Sequence, residues 1–280
     1  METIGSQQLW SWLDGAEKAE QISNTRIRKD SGRLVQNYLD LAQKIAELQY
    51  RNRDYILMFR GQATDYKNRQ SNTSLRPSMF RSTDGALNAP DIQTRYDRLR
   101  RAEVMLVDRY AHIGHDRLKR YQLIRWAILQ HYEVCDTPLL DVTSSIRIAA
   151  SFASMSDTNE AFIYALGLPN LSGAITASAE ASVTILRLSS VCPPQAVRPH
   201  IQEGYLLGEY PEINTWDQKR HYQNYETDFG LRLVAKFRFN PHSFWNADKN
   251  FPQVPRAALY PSEQDDPLAR MMHDIRLRIG

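Results

Sequence analysis

The sequence is short of the residues on which several classes of protein depend. Two cysteines in 280 residues, Cys135 and Cys192, allow at most one internal bridge, so this is no disulfide scaffold. Histidines number seven; His112 and His115 sit three apart, but no nearby Cys or further His completes a metal set, and no metal is expected. The 12 glycines never fall into Gly-x-Gly-x-x-Gly or Gly-Lys-Ser/Thr, which disfavours the ordinary dinucleotide and NTP folds. Cys-x-x-Cys, His-Glu-x-x-His and Gly-x-Ser-x-Gly are also missing. No apolar run approaches the roughly 20 residues of a membrane-spanning helix. The opening METIGSQQLW carries an acid where a secretory signal would carry lysine or arginine. The expectation is a soluble, cytoplasmic protein with both cysteines as thiols and no membrane partner.

Neither sign of charge is in excess. Lysine and arginine total 35 against 32 acids, a formal +3, which excludes a polyanion-binding field over the whole surface but not a local patch. At 42% hydrophobic and 24% charged the composition is that of an ordinary globular protein, long enough for a sizeable core. Tyrosine (14) and tryptophan (5) are plentiful; buried, they need partners for their polar tips, and in clefts they serve as stacking platforms.

Leu34, Tyr38, Leu41, Ile45 and Leu48 fall on one stripe, predicting a helix over about 33–50. Tyr55–Phe59 has the length of a buried strand, ending in Arg60-Gly61-Gln62. Residues 63–90, with Pro77, Gly85 and Pro90, read as mostly loop. Helical character returns over about 91–131, interrupted near Gly114. Within it, Arg95–Arg125 holds nine basic residues against four acids, either a solvated face or a basic wall beside a phosphate-bearing ligand.

Residues 138–142 read as a strand and Thr143–Ala153 as a helix. Further strands are expected at 161–166, 182–188 and 231–239, and an ordered loop over 240–261. A closing helix runs to about Arg278, with Asp265 or Asp266 as its cap and Pro267 in first position. The fold class expected is α+β. One compact domain over 55–280 carries a split, mixed β-sheet flanked by helices, and residues 1–54 form an N-terminal helical extension.

Three places bear chemistry. Arg60 follows an apolar strand, where a guanidinium must reach a cleft or be paired, and arginine forks well onto phosphates and carboxylates. Asp141-Val-Thr143-Ser144-Ser145 leads from strand to helix, which suits either anion binding at a helix N-terminus or simple capping by Thr143 or Ser144. Arg198-Pro-His-Ile-Gln202-Glu203-Gly204 is a polar array; on a strand, Gln202 and Glu203 would point to opposite faces.

These residues resemble a known family, the FRG domain, named for Phe-Arg-Gly. The motif here is Phe59-Arg60-Gly61, followed by Gln62. Leu75-Arg-Pro-Ser-Met-Phe-Arg81 resembles a second element. Gln130-His131-Tyr132 and Thr137-Pro-Leu-Leu-Asp141-Val-Thr143-Ser144 resemble the longest signature, running into Ala149 and Phe152-Ala153. Arg198, Gln202 and Gly204 resemble a later spacing, and Ala258-Leu-Tyr260-Pro261 the ending. The likeness spans about 55–279. It departs in a longer linker at 133–136, in Val142 where tryptophan is common, and after Gly208.

A weaker likeness, to ADP-ribosyltransferases, implies a mechanism. An early-strand arginine would hold NAD, a Ser/Thr-rich strand would orient its nicotinamide ribose, and a late Glu or Gln would act on that ribose or on an acceptor. On that resemblance Arg60 binds phosphate or ribose, Thr143 and Ser144 position the ribose, and Gln202 or Glu203 supplies the late group. Gln62, Arg81, His131, Tyr132, Asp141 and Arg198 are then ligand-binding candidates. NAD would be a substrate, the acceptor macromolecule is unspecified, and the setting implied is bacterial defence or a toxin-like role. The alternative is a non-catalytic module that binds a nucleotide, or nucleic acid through the 95–125 face.

Overall fold

The computed structural model describes residues 7–82, 88–222 and 226–280. Residues 1–6 and 83–87, including the start of the chain and Gly85 of the expected loop, lie outside the described residues. In chain order the elements are β1 (Gln8–Ser11), β2 (Glu20–Ser23), α1 (Asn24–Lys29), β3 (Arg33–Leu34), α2 (Tyr38–Arg51) and β4 (Ile56–Gln62). Then come α3 (Ala89–Arg109), α4 (His115–Arg120), α5 (Gln122–His131), β5 (Leu140–Thr143), α6 (Ile146–Ala153) and β6 (Ala161–Leu168). The rest are β7 (Ile175–Ser178), β8 (Val183–Arg187), α7 (Leu188–Val191), α8 (Val197–Ile201), β9 (Gly204–Glu209), α9 (Trp216–Arg220), β10 (Leu233–Phe239), α10 (Pro241–Asn246), α11 (Arg256–Leu259) and α12 (Pro267–Ile279). The chain is α+β, and its sheet is mixed.

Two compact units share these elements. The first comprises the described parts of Met1–Leu75, Val142–Leu171 and Asp228–Arg256. Its strands hydrogen-bond in the order β3-β10-β6-β4-β5. β10 runs parallel to β3 and antiparallel to β6, which in turn pairs antiparallel with β4 from Ile56↔Leu168 to Gln62↔Phe162. Every residue of β6 is buried, as a central strand covered on both faces requires. β1 and β2 form a separate hairpin, so residues 8–54 hold strands as well as the helices α1 and α2.

The second unit comprises the described parts of Arg76–Asp141, Ser172–Thr227 and Ala257–Gly280. Its antiparallel strands β9, β8 and β7 accompany α3, α5 and α12. The shared core includes Tyr96, Leu99, Leu106, Trp126, Met272 and Ile275. Cys135 and Cys192 are free thiols at this core. No described helix is long and apolar enough to cross a membrane.

Local chemistry accounts for the boundaries. α2 starts at Tyr38 rather than 33 because the Asn37 side chain caps Asp40 N, while Arg33 and Leu34 pair with β10. Gly114, at φ +94°, breaks the long helical stretch between α3 and α4. Asp266 caps α12 through Leu268 N and Pro267 opens it. One helix start is corrected: Thr143 ends β5, and Ser145, not Thr143 or Ser144, caps α6 by accepting from Ile148 N. Thr143 Oγ1 instead accepts from Ser145 N, which fixes the turn between strand and helix.

The basic stretch at 95–125 is partly consumed by structure. Arg95 donates to the carbonyls of Ser78, Met79 and Arg81, and Arg125 pairs with Glu103 while holding the carbonyls of Leu118 and Lys119.

Candidate functional site

The Phe-Arg-Gly motif divides its work between the two faces of one strand. β4 alternates, so Phe59 and Gly61 point one way and Arg60 and Gln62 the other. Gly61 lies under α6, where an added Cβ would stand 1.8 Å from Ala149 O. Phe59 pairs with Thr143, so these two side chains share the α6 face. The register thus separates Thr143 from Arg60, on opposite faces of the same sheet.

On the other face Arg60 stands beside Tyr164, which stands beside Lys236: a row across β4, β6 and β10. Lys236 is 1% exposed, and its ammonium donates to Asp65 (2.8 Å) and to Thr73 Oγ1 (2.9 Å). Asp65 also accepts from Thr73 Oγ1 (2.7 Å) and Tyr164 OH (3.2 Å). Thr73 O is held by Arg28 Nε, and Arg28 pairs with the buried Asp228 at 2.7 Å. Burial pulls the Lys236 pKa down, with Asp65 opposing. Burial first, then the Asp65 carboxylate, pushes the Tyr164 phenol up, so it stays a neutral donor. Two candidates therefore project from this face together, Arg60 and Gln62. The Gln62 Oε1 atom is buried without a hydrogen-bond partner among the described residues.

The second unit gathers another set. Tyr132 OH donates to Asp266 (2.8 Å), which also accepts from Arg198 N (3.1 Å). The Arg198 guanidinium bonds Glu133 at 2.9 Å and lies over the rings of Tyr260 (4.4 Å) and Tyr132 (5.5 Å). Gln202 donates to Leu259 O (2.7 Å), and Gln130 donates to Asp141 (2.7 Å) while accepting from Thr137. His131 is 2% exposed, set edge-on to Tyr132, and its Nε2 has no hydrogen-bond partner among the described residues. Burial, then Arg198, holds His131 well below the ordinary histidine pKa, so the ring is neutral.

Gln202 and Glu203 do not lie on a strand. Gln202 ends α8 in helical conformation and is buried; Glu203 is exposed at φ +44°, and β9 begins at Gly204. Arg198-Pro199 favours the short helix, since proline suits a first turn. Gly204 admits the Leu188 side chain, 2.7 Å from where a Cβ would be. Arg81 is exposed and donates from Nε to Arg76 O. Ser144 is exposed at the end of β5.

Sequence reading missed Asp65, Thr73, Tyr164, Lys236, Arg28 and Asp228. Only Lys236 left a signal, and it shares that signal with Arg238: a basic residue set between the apolar residues of the 231–239 strand. Among the described residues no cluster of three or more His, Cys, Asp or Glu is placed to hold a metal.

The fold and this face define a mixed-sheet α+β protein organised around one arginine-bearing strand. The sequence model of the FRG domain matches residues 55–161, so that stretch is similar to the FRG domain family. The matched stretch includes Phe59–Gln62, the Arg76–Arg81 turn, Gln130–Tyr132 and Thr137–Ser144; Arg198, Gln202, Gly204 and Tyr260 lie beyond it. No curated protein and no solved structure matches the chain.

Proposed function

We propose that this protein binds NAD and transfers its ADP-ribosyl group or hydrolyses it. The supporting observation is the pairing of Arg60 with Gln62 on the sheet face that does not pack against α6. A guanidinium forks onto a pyrophosphate, and the buried Gln62 Oε1 is an acceptor suited to a ribose hydroxyl. Ser144, exposed at the end of β5, is the hydroxyl assigned to the nicotinamide ribose; Thr143 braces its turn. Cleaving the nicotinamide–ribose bond builds positive charge on the sugar, which a nearby carboxylate stabilises.

The experiment is incubation with NAD labelled in its adenylate and nicotinamide parts, with cell lysate supplying acceptors. Nicotinamide release is expected, lost in Arg60→Ala and in Gln62→Leu. Absence of release in the unaltered protein removes the reading, and full activity in both variants removes its residues.

Two observations favour a second reading, a non-catalytic nucleotide or nucleic-acid module: Thr143 faces away from Arg60, and the Gln202 amide is already committed. Retained binding of NAD or RNA without release, with affinity falling steeply as salt rises, would select it.

A further inference from the structure

In the first unit the end of α6 and the start of α10 enclose an open pocket of about 340 Å³, at the small end of ligand sites. One wall is the Trp245 indole. Its Nε1 donates to Ser154 Oγ (2.9 Å), and its ring stands edge-on to the buried Phe244 at 5.0 Å. Ser154 is spent, since its hydroxyl also donates to Ala150 O. Thr158 is spent on Glu160 O. Around them Ser156, Asn246 and Gln253 also line the pocket, and none has a side-chain hydrogen bond to a described residue. Asp157 lies 3.4 Å from His242, with both side chains largely in solvent.

The donor and acceptor balance narrows the ligand. Two amides and a hydroxyl offer both donors and acceptors, and Asp157 adds acceptors. An anion would meet the Asp157 carboxylate. A cation would leave the amide N–H groups unserved. A ring bearing adjacent hydroxyls satisfies both kinds, and its C–H face suits an indole.

We propose that this pocket binds a saccharide ring, with Trp245 as its platform and Asn246, Gln253 and Asp157 as its hydrogen-bond partners. The site is independent of Arg60.

The test is titration of the full chain with D-ribose, methyl glucopyranoside and adenosine, followed by tryptophan fluorescence and saturation-transfer NMR. Saturable binding of at least one is expected. The double variant Asn246→Ala/Gln253→Ala should weaken it roughly tenfold, about the worth of one to two neutral hydrogen bonds, without altering thermal melting. Trp245→Phe should abolish the fluorescence change while the NMR transfer persists, and Arg60→Ala should leave both unchanged. Response to ribose and adenosine alone would assign a nucleoside source, and response to the glucoside a free saccharide. Absence of saturation by either readout, or undiminished binding in the double variant, overturns the proposal.

Discussion

Replacing Gly61 with alanine tests the packing on which the Phe-Arg-Gly strand rests. The new Cβ would lie 1.8 Å from Ala149 O, 2.8 Å from Ala149 C and 2.9 Å from Ala153 N. All three are backbone atoms of α6, so no side chain can rotate out of the way. To reach an ordinary 3.4 Å contact the helix must move by about 1.6 Å. That shift would lift Ile148, Ala149 and Ala153, all buried, off β4 and β6. Overpacking of a close-packed core costs about 1–3 kcal/mol, and a backbone clash belongs at the upper end. About 3 kcal/mol corresponds to a fall of about 6–12 °C in Tm for a chain of this size. The assay is a thermal scan by circular dichroism beside Gly114→Ala. Gly114 has positive φ, unlike Gly61, but an added Cβ there meets nothing within 4 Å, so only backbone strain of about 1–2 kcal/mol should appear. A Gly61→Ala protein melting within about 2 °C of the parent would refute the close approach of α6.

Three further perturbations follow from the buried polar groups. Asp65→Ala strands the Lys236 ammonium and should destabilise by about 3–5 kcal/mol in urea unfolding; the loss should shrink as pH rises and Lys236 neutralises, and a constant loss would count against the pair. His131 is neutral when folded but takes up a proton near pH 6.5 when unfolded, so below that pH the unfolded chain binds more protons. Stability should therefore fall with acidification by up to about 1.4 kcal/mol per pH unit, and His131→Leu should remove that slope between pH 7 and 5.5. Burial pushes the Cys135 thiol up to about 12 and raises Cys192 as well. Ellman's reagent at pH 8 should find neither in the native protein and both after denaturation; rapid reaction of one native thiol would contradict the packing.

Much of the secondary structure was legible because local chemistry decides it. Asp266-Pro267 marks the start of α12 and Gly114 the break after α3, each by a rule acting over a few residues. Strand ends were harder. By composition the apolar run of β4 stops at Phe59, yet pairing with β6 carries the strand to Gln62, because neighbouring strands can bury polar residues that sequence alone assigns to a loop. Gln202-Glu203 failed for a related reason: alternation cannot distinguish a strand from the last turn of a five-residue helix. Of the candidate site, Arg60 and Gln62 could be read from the motif and its period of two. The Asp65–Lys236 contact could not, since 171 positions separate partners that only the β4-β6-β10 register brings together.

Each unit is stitched from three stretches of chain, and this sets a timetable for synthesis. The 55–161 stretch holds β4 but only the first residue of β6, so a truncated product ending there would leave β4 without its central neighbour. Tyr132 meets Asp266 across 134 positions. At about 5–20 residues per second a ribosome takes roughly 7–27 s to deliver that acceptor. Through that interval the nascent α5 end, with His131 and Tyr132, lacks the carboxylate that later secures it. Completion of either unit thus waits for the last of its three stretches, and until then its earlier stretches stand without the partners that later bury them.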